Sequence, residues 1–186
     1  MRFSKAYTLV LFLLFIGTTT AFSQKKGKVK VNLTNAVVVG QMDKQEDRFS
    51  IEITLTEMLT SRGMKAMPSL NLVKRGSDSG IMASDSVSNL LKGKGIDTYM
   101  LVSVRGYDRK YKVADNPGTL DEALDRGNLF EIYAMDIVSV SFEVKFYREG
   151  KFIHSEVVKI GNVGGRDSVL KKFRKKIGKK IDKKWS

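Results

Sequence analysis

Only one histidine, His154, and no cysteine stand among the 186 residues of this chain. Without thiols or a second imidazole, neither a Cys-based nor a histidine-rich metal site can be built. A Ser-His-Asp arrangement would have to use His154, and no G-x-S-x-G elbow accompanies it. His154 lies instead in an alternating stretch, where a cross-strand pair is its expected role. The stretch GNVGGRDS, residues 161–168, has the look of a phosphate loop. It lacks the G-x-x-x-x-G-K-[ST] spacing, and Asp167 would repel a phosphate at the helix start. A glycine-permitted turn with a cap explains it better. GKG at 93–95 reads as a helix stop. Asp43, Glu46 and Asp47 are calcium-type ligands without the D-x-D-x-D-G pattern. Asn32-Leu33-Thr34 is a glycosylation sequon, meaningful only where the machinery exists. No constellation here forms an active site, so the sequence predicts a chain that is not an enzyme, with no catalytic residue, no cofactor and no metal.

The strongest chemical signal is charge. Residues 171–184 carry nine lysines and arginines against Asp182, threaded by Phe173, Ile177 and Ile181. The candidate anion or partner surface is Lys171, Lys172, Lys175, Lys176, Lys179 and Lys183. Leu170, Phe173, Ile177 and Ile181 form a narrow apolar seam on a helix, extended by Trp185. Docking of that seam on a sheet is the first reading. A membrane-surface helix is the second, because lysines flanking an apolar stripe suit anionic headgroups.

The chain opens MRFSKAYTLVLFLLFIGTTTAFSQ. Arg2 and Lys5 give a positive start, Leu9 to Gly17 an apolar core, and Ala21-Phe22-Ser23 a small-residue cleavage site before Gln24. These are the three parts of a secretory signal peptide. The apolar run is too short to span a bilayer, which takes roughly 20 residues. Residues 1–23 are thus expected to be cleaved near Ser23-Gln24, giving an exported protein soluble in the periplasm or cell envelope. Residues 24–34 read as a basic flexible leader and 35–186 as one domain.

Cleavage takes Arg2 and Lys5 from a formal charge of +13, leaving 31 basic and 20 acidic side chains. The closing segment contributes +8 and Lys25, Lys26, Lys28 and Lys30 contribute +4, so residues 31–170 sum to −1. The body is neutral and the excess is terminal. A nucleic-acid binder spreads basic and aromatic residues over a shaped surface, and export removes that partner in any case.

The positioning elements follow from periodicity. Val37, Val38 and Val39 before Gly40 read as a strand buried on both faces. RFSIEITLTEMLTSRG alternates as a strand would, but Ile51, Leu55, Met58 and Leu59 have helical spacing ahead of Arg62-Gly63, which predicts a helix from about Asp47 to Arg62. Met64–Pro68 is an edge-type strand. Asp85-Ser86 is expected to cap a second helix with Val87, Leu90 and Leu91, stopped by Gly93 and Gly95. Thr98–Arg105 is a strand with Met100, Val102 and Val104 on one face. Asn116-Pro117-Gly118 marks a turn, and Leu120–Leu124 a helical turn. Val138, Val140, Phe142, Val144 and Phe146 then alternate with Ser139, Ser141, Glu143 and Lys145. Glu149-Gly150 turns the chain, and Phe152–Ile160 returns it. Asp167-Ser168 is expected to cap the closing helix. The fold class is α/β (α+β): a single mixed sheet in the order β-α-β-α-β-β-β-α, with helices mainly on one face and the other partly solvated.

Leu90-Leu91-Lys92-Gly93-Lys94-Gly95-Ile96-Asp97, running into Tyr99-Met-Leu-Val-Ser-Val104, resembles a bacterial envelope module. The arrangement is similar to the N-terminal domain of the Tol-system periplasmic protein and the curli-secretion lipoprotein. Outer-membrane lipoprotein activators of peptidoglycan synthases share it, and the likeness covers about residues 35–186. It departs from the lipoproteins in having no lipobox cysteine, and it shows no channel-forming hairpins. The resemblance implies a non-enzymatic role in the envelope, binding a protein partner, and carries over no binding residues. The alternative is a peripheral binder of anionic lipid or of a cell-wall polyanion such as peptidoglycan, through the basic C-terminal helix.

Overall fold

The computed structural model describes residues 30–73, 79–107, 118–125, 130–134 and 137–186. The expected signal peptide, the leader up to residue 29 and the Asn116-Pro117 part of the expected turn lie outside the described residues. Five strands form one mixed sheet: β1 (Asn35–Gln41), β2 (Lys65–Pro68), β3 (Thr98–Tyr107), β4 (Ser139–Arg148) and β5 (Lys151–Gly161), in the spatial order β2-β1-β3-β4-β5. β1 runs parallel to β2 and β3, while β3, β4 and β5 pair antiparallel. The helices are α1 (Gln45–Thr60), α2 (Asp85–Gly93), the short α3 (Leu120–Asp125) and α4 (Arg166–Lys180), the last continued by a π-helical turn over Ile181–Trp185. The fold is therefore the expected α+β class, with α3 inserted between β3 and β4.

The three valines of β1 divide between two cores. Val38 joins Ile51, Leu55 and Leu59 of α1 and Phe173 and Ile177 of α4. Val37 and Val39 join Leu91 of α2, Tyr99, Leu101 and Leu124. A strand paired on both sides and covered on both faces has no polar face to show. The two long helices share one face of the sheet, while α2 and α3 pack on the other. Crossovers of one hand require this division. The β1-to-β2 connection steps one way across the sheet and the β2-to-β3 connection steps back, so their helices fall on opposite faces.

Several local expectations are corrected. Ser84, not Asp85-Ser86, is the N-cap of α2, accepting from the Val87 N–H at 3.4 Å. α4 begins at Arg166 after Gly165, with no side-chain cap from Asp167 or Ser168. The guanidinium of Arg166 draws its first turn toward α1, donating to Asp47 Oδ1 at 2.6 Å and Ser50 Oγ at 2.6 Å. Val138 precedes β4 and is 62% exposed rather than part of the core face. Leu90 of α2 is exposed as well.

The leader, expected to run to residue 34, is packed from Val31 onward. Val31 and Leu33 are buried, and their N–H groups donate to the carbonyls of Lys184 at 3.1 Å and Trp185 at 2.6 Å. The last carbonyls of a helix have no partner within it, and this strap supplies two donors. Arg148 reaches the same strap, donating to the Asn32 carbonyl at 3.1 Å.

The face of β4 expected to be partly solvated is polar but closed. Ser139, Ser141, Glu143 and Lys145 are all buried. Glu143 accepts from Ser155 Oγ at 2.9 Å and pairs with Arg105 at 3.0 Å and Lys145 at 3.5 Å. Alternation reveals which face is polar; it does not reveal whether that face is covered.

Candidate functional site

The apolar seam of the closing helix is docked. Phe173, Ile177, Ile181 and Trp185 have no exposed surface, and Val169 joins them while Leu170 is half-buried. The Phe173 ring lies 4.8 Å from Phe142, and that of Trp185 lies edge-on 5.0 Å from Phe146. Residues four apart drift steadily around an α-helix. The wider π turn reverses that drift and keeps Trp185 over the sheet. At roughly 1.5–3 kcal/mol per buried large side chain, lifting this seam onto lipid would forfeit energy on the scale of a domain's net stability.

With the seam fixed, the cationic side chains separate by direction. On one flank Arg174 reaches α1, donating to Glu57 at 2.9 Å and Thr54 at 3.3 Å. On the other, Lys172, Lys176, Lys180 and Lys184 form a row facing β5. Lys172 donates to the carbonyls of Gly161 at 3.1 Å and Asn162 at 2.5 Å. Lys176 donates to the Lys159 carbonyl at 2.6 Å. Lys180 and Lys184 bind one oxygen of Glu156 at 2.5 and 2.7 Å, and Trp185 Nε1 donates to the other at 3.3 Å. The outward row is Lys171, Lys175, Lys179 and Lys183. All four are exposed, and none has a hydrogen bond or ion pair among the described residues. At 1.5 Å of rise per residue, successive members of the row attach about 6 Å apart along the helix, over about 18 Å. Asp182 does not neutralise the row, because it turns to Arg62 at 2.5 Å.

Of the six lysines expected to form the surface, the structure thus brings four into one open row. Lys172 and Lys176 are engaged with strand carbonyls. Lys159, Lys176, Lys179, Lys180, Lys183 and Lys184 also ring a groove of about 440 Å³ floored by Val157 and Val158 at the edge of the sheet.

Burial alone would push the Glu156 carboxyl upward, but the hydrogen bonds and charges of Lys180 and Lys184 outweigh it and hold it below the usual glutamate range. A lowered folded-state value gives stability that is present above the unfolded value, about 4.3, and is lost as pH falls through the lowered one. Glu156→Gln is therefore expected to cost about 1 kcal/mol at neutral pH. The difference from the parent should close as the medium is acidified below about pH 4. Urea titrations at several pH values measure both.

The remaining sequence candidates do not assemble. His154 stands opposite Phe146 in the β4–β5 register, its ring stacked at 6.4 Å, and burial lowers its affinity for a proton. Ser155 beside it donates to Glu143, not to the imidazole. Asp47 is buried and accepts from the Ile132 N–H at 3.0 Å and from Arg166, so it serves the junction of α1 and α4. Among the described residues no three His, Asp or Glu side chains are gathered as metal ligands. Gly164 and Gly165 form the connection into α4, and Asp167 is exposed in its first turn. Asn32 of the sequon is exposed.

The buried carboxylates Glu52 and Glu143 were not legible as site residues. Glu52 accepts from the Gly40 N–H at 2.9 Å, Arg48 Nε at 2.9 Å, Ser69 Oγ at 2.7 Å and the Leu70 N–H at 3.1 Å. The one available signal was Arg48 four residues before it, a spacing that pairs charges on a helix. Its fully satisfied geometry makes it a structural tie between α1, β1 and the turn after β2.

The chain is thus a single mixed-sheet α+β unit presenting a cationic ridge. No family model matches it, and neither does any curated protein. Among solved structures it is similar to the lipoprotein GNA1162 from Neisseria meningitidis, with 12% identity, a TM-score of 0.46, and coverage of 81% of this chain and 97% of that one. It is also similar to the PelC dodecamer from Paraburkholderia phytofirmans. Two structures of it give 10% identity each, with TM-scores of 0.44 and 0.43, covering 83% and 86% of this chain and 90% and 95% of those. Likeness at this level carries no argument about what the chain does. No helix among the described residues is long and apolar enough to cross a membrane.

Proposed function

We propose that this chain is a non-enzymatic, exported envelope accessory protein that binds an acidic protein partner through the ridge of Lys171, Lys175, Lys179 and Lys183. The observation that carries the reading is the pairing state of these four side chains. They are exposed and have no partner among the described residues, whereas the parallel row beside them is fully engaged. Like charges held in a line on a rigid helix repel one another, and an acidic surface relieves that repulsion and is steered toward it. Export is the expectation from residues 1–23.

A lipid or cell-wall polyanion is the second reading, favoured by the same lysines. With the seam buried, lipid binding would be limited to charge, at about 1 kcal/mol per lysine near an anionic surface.

The quadruple variant Lys171→Gln, Lys175→Gln, Lys179→Gln, Lys183→Gln is expected to keep its stability within about 0.5 kcal/mol, since surface substitutions away from packed or paired groups are nearly neutral. A photo-crosslinker at position 175, in the native envelope, should yield a protein adduct that is lost when Lys171, Lys179 and Lys183 are also replaced by Gln. Lipid adducts alone, with sedimentation on anionic vesicles, would replace the protein partner with the second reading.

A further inference from the structure

The outermost strand β5 and the groove beside it meet in an arrangement the ridge alone does not explain. β5 is the last strand of the sheet order and is 11 residues long. One of its sides therefore pairs with no other strand among the described residues, an arrangement prone to pairing with another chain. In an antiparallel ribbon, alternate residues turn both N–H and C=O to the same side. The Lys159 and Gly161 carbonyls, two residues apart, are reached from α4 by Lys176 and Lys172. Val157, two residues before Lys159, shares their parity and borders the groove.

We infer that the free edge of β5 is a receptor for an extended acidic peptide segment of the partner, which adds to the sheet as a sixth strand with its carboxylates in the lysine groove. The inference rests on the proposed binding of an acidic protein and specifies how that partner is held. The Lys172 and Lys176 ammonium groups occupy edge acceptors in the free protein. An incoming strand replaces them with its own N–H groups and releases both lysines to pair with its side chains. Main-chain bonds then hold the segment, and side chains at every second position select it.

Charge complementarity fixes the occupant. Six lysines and no acid line the groove among the described residues, and the neighbouring Glu156 is already bound by Lys180 and Lys184. A second copy of this chain would bring the same lysines against themselves, and like charges at such distances disfavour it. The spacing of side chains on one face of a strand, about 6.6 Å, is close to the rise of about 6 Å between successive members of the α4 row that faces β5, Lys172, Lys176, Lys180 and Lys184. A glutamate at every second position of the segment therefore meets successive lysines.

The test uses the purified protein and two synthetic octapeptides of alternating glutamate and valine. One is unmodified, and the other is N-methylated at every backbone amide, which removes the N–H donors of both edges while keeping its charge. Titration followed by amide NMR shifts is expected to show the unmodified peptide binding about tenfold or more tightly than the methylated one, a difference of about 1.4 kcal/mol. The largest shifts should fall on residues 155–161. The folded protein is unaltered in this comparison, so no variant has to fold. Equal affinity for the two peptides would overturn strand addition while leaving the charged ridge as the partner surface. Binding of neither would also overturn it, and the crosslink from position 175 then judges the partner reading separately.

Discussion

Substituting aspartate for Phe173 or for Ile177 is expected to unfold the domain or to lower its stability by at least about 4 kcal/mol. Both side chains are fully buried, and the Phe173 ring packs 4.8 Å from Phe142. Truncating a buried phenylalanine costs about 3–5 kcal/mol through lost transfer and the cavity left behind. Aspartate adds an unpaired carboxylate in an apolar site. Against a net stability of about 5–15 kcal/mol the sum approaches the whole. Lys175→Gln and Lys179→Gln provide the contrast on the same helix, with effects of a few tenths of a kcal/mol expected for exposed charges. Thermal and urea melts of the four variants decide the matter. Parent-like melting of both aspartate variants would mean that the helix is not docked in solution.

That the helix docks was readable from its seam, because Leu170, Phe173, Ile177 and Ile181 at helical spacing match the alternating face of Val140, Phe142, Val144 and Phe146 that precedes them. The ambiguous stretch from Phe49 to Leu59 resolves as helix for a related reason. Ile51, Leu55 and Leu59 reach the core together only at helical spacing, and a strand would have left Phe49, here 54% exposed, on the buried face. Cap positions were less legible, since Ser84, Asp85 and Ser86 are all capping types and only the tertiary entry angle selects Ser84.

The candidate site was half visible. Lysines at 171, 175, 179 and 183 and at 172, 176, 180 and 184 are two plain i,i+4 rows in the sequence. Which row is open and which is engaged depends on the side of α4 on which β5 lies, and no periodicity records that. The buried polar ties are harder still. Glu52 meets Gly40, 12 residues before it, and Ser69, 17 residues after it, across three elements. Hydrophobic patterning is blind to polar groups that satisfy one another.

Glu52→Ala is expected to cost about 3–5 kcal/mol, as removal of one member of a buried charged pair does. The carboxylate has no exposed surface, and its Oε1 alone accepts from Gly40, Arg48 and Ser69. Its loss leaves the Arg48 guanidinium, whose side chain is 12% exposed, without its counterion. It also leaves the Gly40 and Leu70 N–H groups without their acceptor. No other group can move into the space cheaply, because the backbone at Gly40 approaches so closely that a Cβ there would stand 3.3 Å from Glu52 Cγ. Glu52→Gln separates charge from shape. Its amide keeps one acceptor but turns an NH2 toward a donor, either the Leu70 N–H or the trio on Oε1, and about 2–3 kcal/mol is expected. The pairwise part is isolated by Arg48→Met alone and with Glu52→Ala, where the double variant should be more stable than the sum of the single losses predicts. A urea-derived loss below about 1 kcal/mol for Glu52→Ala would show that water replaces the carboxylate and that α1 is held to β1 by its apolar face alone.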